Sequence, residues 1–232
     1  MLWNPSGESF REPGDTAVTE VGKTGGVFLL RLALPDRPGS LGSVATAMGT
    51  VGADINAVEI VEKYEGYAVD DFMVELPSGV LADSLVSVCT AIDGVELLWL
   101  SHYPEQWGLQ GDVDVLNHMT EHPERAEQIL TGEAPEVFRV TWAVLVDRVS
   151  RQVLAKTDLA PDLDEAGVAA LGALDRERSD ELPNGWLPGW NDTLIAVAPF
   201  RGRTSIVVAR RGGPEFLASE VARLRHLAAL AS

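Results

Sequence analysis

The sequence has a single cysteine, Cys89, which excludes an intrachain disulfide framework and a zinc site built from several thiolates. Basic side chains are scarce as well: 18 Lys and Arg stand against 35 Asp and Glu, for a formal charge of −17. Nucleic acid and anionic membranes are bound through Lys and Arg, so a chain this acidic is read as binding neither. No apolar run reaches the roughly 18 residues that a membrane span needs, and the start "MLWNPSGESFREPG" lacks a basic segment followed by an apolar one. The expectation from these absences is a cytoplasmic protein. What the chain does have is core-forming material: 46% of its 232 residues are hydrophobic, enough for one large domain or two of ordinary size.

Residues 1–26 are polar and rich in Gly, Pro, Glu and Thr, which reads as a leader outside the packed fold. From Val27 the pattern becomes regular. "VFLLRLAL" predicts a buried strand, and Ser40–Val51 a helix with Leu41, Val44, Ala45, Met48 and Val51 inward. "INAVEIVEKY" and "YAVDDFMVEL" predict two further strands. Leu81–Ile92 predicts a second helix with Leu81, Leu85, Val88, Cys89 and Ile92 inward, and "VELLWLSHY" a closing strand. The order βαββαβ implies a four-stranded sheet with both helices on one face, a ferredoxin-like layer over residues 27–103. "PEQWGLQGD", 104–112, reads as a linker. A second unit, 113–232, follows. Its helical pattern from Val113 to Leu130 is broken at Pro123; then come a hairpin of "VFRVTWAVLVD" and "RQVLAKT", a helix in "DEAGVAALGALDRE", a second hairpin of "TLIAVAPF" and "RTSIVVARR", and a last helix. The whole is of the α+β class. The first 107 residues carry a net −11 and the remainder −6, so neither part is basic.

The turn "PDRPGSLG" joins the first strand to the first helix. Pro38 fixes φ there, and Gly39 lets the chain turn while leaving amide N–H groups open at the helix start. Such amides attract a carboxylate, although the same turn begins many helices that bind only water. "DRPGSLG" at this place, "GADI" entering the next strand and the βαββαβ order together resemble the ACT domain, a small-molecule regulatory module attached to many enzymes of amino-acid metabolism. The resemblance implies a homodimer and an amino acid held between two copies, with Leu34, Asp36, Arg37, Pro38, Gly39, Ser40, Leu41 and Asp54 at the positions that contact it. Asp36 and Asp54 stand where serine-binding members carry asparagines, and Leu34 where histidine occurs. A carboxylate accepts from an ammonium and repels a carboxylate. The ligand's ammonium is therefore expected to face Asp36 and Asp54, and its acid end the amides of Gly39, Ser40 and Leu41. Other modules of this family hold no ligand and serve to dimerise.

The end of the second unit, "VVARRGGPEFLASEVARLRHLAALA", is similar to the end of a GAF domain, with Leu217 in place of a Ser or Thr helix cap and Glu220 retained three residues on. The resemblance implies a small GAF/PAS-like antiparallel sheet with flanking helices. Other motifs carry less. "HMTEH" has the spacing of a zinc-binding H-x-x-E-H, but Pro123 turns His122 off the helix. "GKT" at 22–24 lacks the upstream glycine of a phosphate loop. Trp186 and Trp190 in "GWLPGW" either wall a pocket or pin a long loop. Six arginines after residue 200 face the acidic first domain, a partner or solvent. With no nucleophile–base pair, metal cluster or cofactor motif, the sequence reads as a non-catalytic regulatory or sensor protein that binds an amino acid or related small molecule, with no cofactor and no metal. The alternative is a ligand-free dimerisation module acting on a protein partner.

Overall fold

A computed structural model describes residues 26–102 and 110–231. The leader up to residue 25, with its "GKT" stretch, and linker residues 103–109 lie outside the described residues.

The first domain follows the expected order: β1 (Val27–Pro35), α1 (Ser40–Thr50), β2 (Asp54–Tyr64), β3 (Tyr67–Glu75), α2 (Ala82–Thr90) and β4 (Glu96–His102). Its antiparallel sheet has the order β2-β3-β1-β4, a ferredoxin-like arrangement with β2 and β4 at the edges. Leu30, Leu32 and Leu34 of β1 and Phe72 and Val74 of β3 meet Val44 and Met48 of α1 and Leu85 and Cys89 of α2 in one core. Leu41 and Leu81, expected inward, are 38% and 70% exposed instead. Leu41 is the second residue of α1 and Leu81 the residue before α2, and Ala45, also expected inward, is exposed in the middle of α1. The Cys89 thiol is buried, which pushes its pKa up to about 11 and leaves it unreactive.

Burying one face of this sheet was the expectation, but its central strands are buried on both. Leu29, Arg31, Val69, Asp71 and Met73, on the side away from α1 and α2, are all under 5% exposed. Part of this face is met by the second domain: the start of its last helix reaches Arg31 of β1 and Glu62 of β2.

That second domain is built from α3 (Gln110–Glu121), a single 3-10 turn (Pro123–Arg125), α4 (Ala126–Phe138), β5 (Trp142–Asp147), β6 (Val153–Lys156), α5 (Glu165–Ala170), β7 (Arg178–Glu181), β8 (Thr193–Pro199), β9 (Thr204–Arg211) and α6 (Ala218–Leu230). The expected linker end at 110–112 is already helical. The two expected hairpins merge into one five-stranded antiparallel sheet, β6-β5-β9-β8-β7, because β5 pairs with β9 along its whole length. Val137 and Phe138, expected in a strand, form the last turn of α4, which Arg139 ends in a left-handed conformation (φ 55°). α5 stops early at Ala170, since Gly172 turns out of the helix with φ 80°. β7, absent from the sequence reading, is a polar edge strand, "RSDE", with no apolar alternation to reveal it. One face of the sheet packs on α3, α4 and α6 through Leu130, Leu145, Val208 and Leu224. The other packs on α5 and the Trp loop. Both faces being covered explains why β5 and β9 read as continuous apolar runs rather than alternating ones.

Candidate functional site

The turn after β1 is held by its own backbone. Asp36 N–H donates to the Gly66 carbonyl (3.1 Å), Arg37 N–H to Pro35 (2.8 Å) and Ser40 N–H to Arg37 (3.2 Å). Gly39 takes φ 95°, which reverses the chain into α1, and its carbonyl accepts from the amide and the hydroxyl of Ser43. No side chain caps α1. Of the three amides expected to face an acid group, that of Ser40 is thus already used within the turn. Arg37, Pro38, Gly39 and Leu41 are exposed.

The remaining expected contacts are placed differently. Leu34 is 2% exposed and packs under the helices, so its side chain belongs to the core rather than to the turn. Asp36 is paired with Lys63 at 2.8 Å, which holds the Lys63 ammonium above its ordinary pKa. Asp54 opens β2 at the opposite end of the sheet. It stands across from Glu75 in β3, as does Val27 of β1, whereas the turn follows Pro35, across from Tyr67. Eight residue steps along a strand separate the two ends, roughly 26 Å. One copy of the chain therefore does not bring Asp36 and Asp54 together.

Two features near this turn had no place among the expected contacts. The first is Asp70, 1% exposed on the helix side of β3, level with Leu32 of β1 and Ile60 of β2. Its Oδ1 is buried without a hydrogen-bond partner. Burial pushes its pKa up to about 6; Lys63 pulls the other way, while Asp71 and Asp36 add to the rise. The second is a charge network on the opposite face. Arg31 of β1 grips Asp71 of β3 with two bonds (2.7 and 2.9 Å) and reaches Glu220 of α6 with two more (3.1 and 3.2 Å). Glu220 also accepts from Arg210 of β9 (2.6 Å) and from the Leu217 N–H at the helix start (2.9 Å). Arg139 joins Asp71 to Glu59 of β2, the latter at 2.8 Å, and Ser219 donates to Glu62.

Arg31, Asp71 and Arg210 are each no more than 2% exposed, so this network joins the two domains in a low-dielectric interior where charges must be matched. Three arginines meet three carboxylates. Burial alone would raise the Glu220 pKa, yet Arg210 and Arg31 hold it down at about 2. Burial likewise opposes the charge on Arg31, and Asp71 and Glu220 overcome it, keeping that guanidinium above its ordinary range. The signal for this network was present in the sequence as an arginine inside "LLRLAL" and paired aspartates inside "VDDF", charges in the middle of otherwise apolar strands.

Elsewhere the candidate groups are engaged structurally. His118 bonds Glu133 at 2.8 Å, and His122 leaves the helix with φ −131° ahead of Pro123. Trp186 stacks on buried Trp142 and Trp190 meets it edge-on, both against the sheet. Among the described residues no group of three or more metal-ligating side chains converges, and no helix is long and apolar enough to cross a membrane.

The fold and site thus define an α+β protein of two antiparallel sheets with flanking helices, a four-stranded ferredoxin-like sheet joined by buried ion pairs to the layer that holds the five-stranded one. No family model and no curated protein matches the chain. Among solved structures it is similar to an unknown protein from Galdieria sulphuraria, at 16% identity over 88% of this chain and 91% of that one, with a TM-score of 0.32. It is also similar to a formyltetrahydrofolate deformylase from Pseudomonas putida KT2440, at 12% identity over 41% of this chain and 38% of that one, with a TM-score of 0.28. A third, named for a glycine cleavage system transcriptional repressor, aligns at 8% identity over 86% and 88% of the two chains, with a TM-score of 0.29. At these scores the likenesses carry no functional argument, which rests on the chain's own residues.

Proposed function

We propose that this protein is a non-catalytic, ligand-responsive regulator that binds an amino acid beside the β1–α1 turn, between two copies of its ACT-like domain, and passes occupancy to its GAF-like domain. One observation carries the reading: the turn and the interdomain network share the same strands. Arg31 lies on β1 four residues ahead of Pro35, and Asp71, its partner, follows Asp70 on β3. A ligand that shifts the end of β1 acts on the strand that holds Glu220, and a ligand biases the domains only by binding one arrangement better than another.

The exposed β2 edge supports the dimer. Val58 and Ile60 on this strand are 44% and 49% exposed beside unpaired backbone groups, a surface that a second β2 can cover. Antiparallel pairing of two β2 strands in full register sets Asp54 of the partner subunit against Tyr64, next to Lys63 and the turn. That arrangement brings Asp54 of the partner subunit to the end of the sheet where the turn lies. The same edge also favours the second reading, a dimerisation module with no ligand.

The test is a calorimetric and thermal-shift screen of the twenty amino acids on wild type and Gly39→Arg, with sedimentation to give the oligomeric state. Binding to wild type that is lost in the variant is expected. If no amino acid binds wild type and the protein is dimeric, the ligand-free reading replaces this one.

A further inference from the structure

The two edges of the second sheet differ. At one edge β7 carries three charges in the four residues "RSDE", which guard a strand against pairing with another chain. At the other edge β6 reads "VLAK" and exposes Leu154 to 50%, and no described strand covers its outer side. Its one charge, Lys156, is already paired with Asp162. Leu154 also has no place in the pairing with β5: Val146 stands against Val153 and Leu145 against Ala155, so Leu154 is the extra residue of a bulge. The turns on either side expose Val149 to 76% and Leu159 to 66%. Three large apolar side chains thus meet solvent around one strand, and clustered apolar surface of this kind marks an interaction site.

The sequence around β6 points to the occupant. Val149, Leu154 and Leu159 are evenly spaced, so a two-fold axis at Leu154 that pairs two antiparallel β6 strands brings Val149 level with Leu159 of the partner subunit. The same register sets Leu154 on Leu154 of the partner subunit. Arg151 precedes β6 and Asp158 follows it; both are exposed, and neither side chain meets an opposite charge among the described residues. Turned about that axis, Arg151 comes against Thr157 of the partner subunit and beside Asp158 of the partner subunit, and the symmetry repeats the contact. We infer that the β6 edge is an interface between two copies of this chain, in which their five-stranded sheets join into one continuous sheet. This contact lies on a different sheet from the β2 edge proposed above and does not depend on it.

Sedimentation equilibrium on the full chain tests it, with Ile60→Lys as the background so that a β2 contact does not contribute. Circular dichroism verifies that each variant folds. The Ile60→Lys chain is expected to remain self-associated, and adding Leu154→Lys to make it monomeric. Arg151→Asp alone and Asp158→Arg alone, each in the same background, are expected to weaken association by roughly tenfold. Combining those two reversals is expected to restore most of it, since the swapped charges meet again across the axis; residues that only support the hairpin give no such rescue. A monomeric Ile60→Lys chain overturns the inference and assigns the edge to a partner of another kind, while a dimeric wild type then leaves the β2 contact standing. Association that Leu154→Lys does not weaken, or charge reversals that do not rescue each other, overturn it as well. A monomeric wild type overturns both contacts.

Discussion

Asp70 and Asp71 are consecutive residues of β3, both buried, and they face opposite sides of one sheet. Asp71 looks towards the second domain, where Arg31 and Arg139 saturate it. Asp70 looks towards α1, where its Oδ1 meets no donor. A strand alternates its side chains, so it can present an assembled joint on one face and an unfinished site on the other within a single residue step. The matched face serves as architecture. The unmatched face is where added charge, whether a proton or a ligand, changes the energy.

The matched face is most sensitive at Glu220. Replacing it with alanine leaves Arg31 and Arg210 buried against each other without their shared carboxylate, and is expected to cost about 3–5 kcal/mol in urea unfolding. Unfolding should also separate into two transitions as the domains uncouple, which fluorescence and circular dichroism will follow separately, since all six Trp except Trp3 and Trp99 lie beyond residue 103. A loss under 1 kcal/mol would show that the network is not what joins the domains.

The opposite sign is expected at Asp70. Its pKa is raised from 3.8 to about 6 in the fold, so the folded chain binds this proton more tightly than the unfolded chain, and the penalty is present above pH 6. As pH falls from 7 towards 4 this group therefore adds stability. Asp70→Asn should be more stable than wild type by about 2 kcal/mol at pH 7.5, with the gap shrinking steadily towards pH 4. A variant less stable at pH 7.5 would mean that Asp70 already has a partner in solution.

The contrast between these faces also explains what the sequence made legible. The first domain's six elements followed from period and punctuation: the edge strands β2 and β4 alternate, and the central β1 and β3, buried on both faces, read as apolar runs bounded by turn residues. The second domain was harder to read. Val137 and Phe138 look like strand residues beside "RVTWAVLVD" and are the apolar end of α4, and nothing in "RSDE" marks an edge strand. The turn at Gly39 was legible since its positive φ demands glycine, but pairing is not local: that Lys63 occupies Asp36, and that Asp54 lies at the far end of the sheet, depends on strand register. Arg31 and Asp71 were visible only as charges interrupting apolar strands, and their partner Glu220 lies 189 residues from Arg31.

The turn itself tests how much of the unfinished face is preorganised. A Cβ built on Gly39 meets nothing within 4 Å, so Gly39→Ala isolates the cost of the left-handed backbone, roughly 1 kcal/mol in thermal unfolding. A neutral result would show that the turn relaxes without consequence, and that α1 does not depend on its geometry.

The smallest expected stability effect is at Lys63. Lys63 and Asp36 are both exposed, so losing their pair costs little, and Lys63→Met should lower the unfolding midpoint at neutral pH only slightly, through Asp70. Lys63 is the cation that lowers the Asp70 pKa against the rise from burial, Asp71 and Asp36. Removing it should move the Asp70 titration further above 6, seen by following the side-chain carboxyl signal with pH by NMR. A titration that stays in place would separate Lys63 from Asp70. The corner would then hold two independent groups in place of a coupled pair.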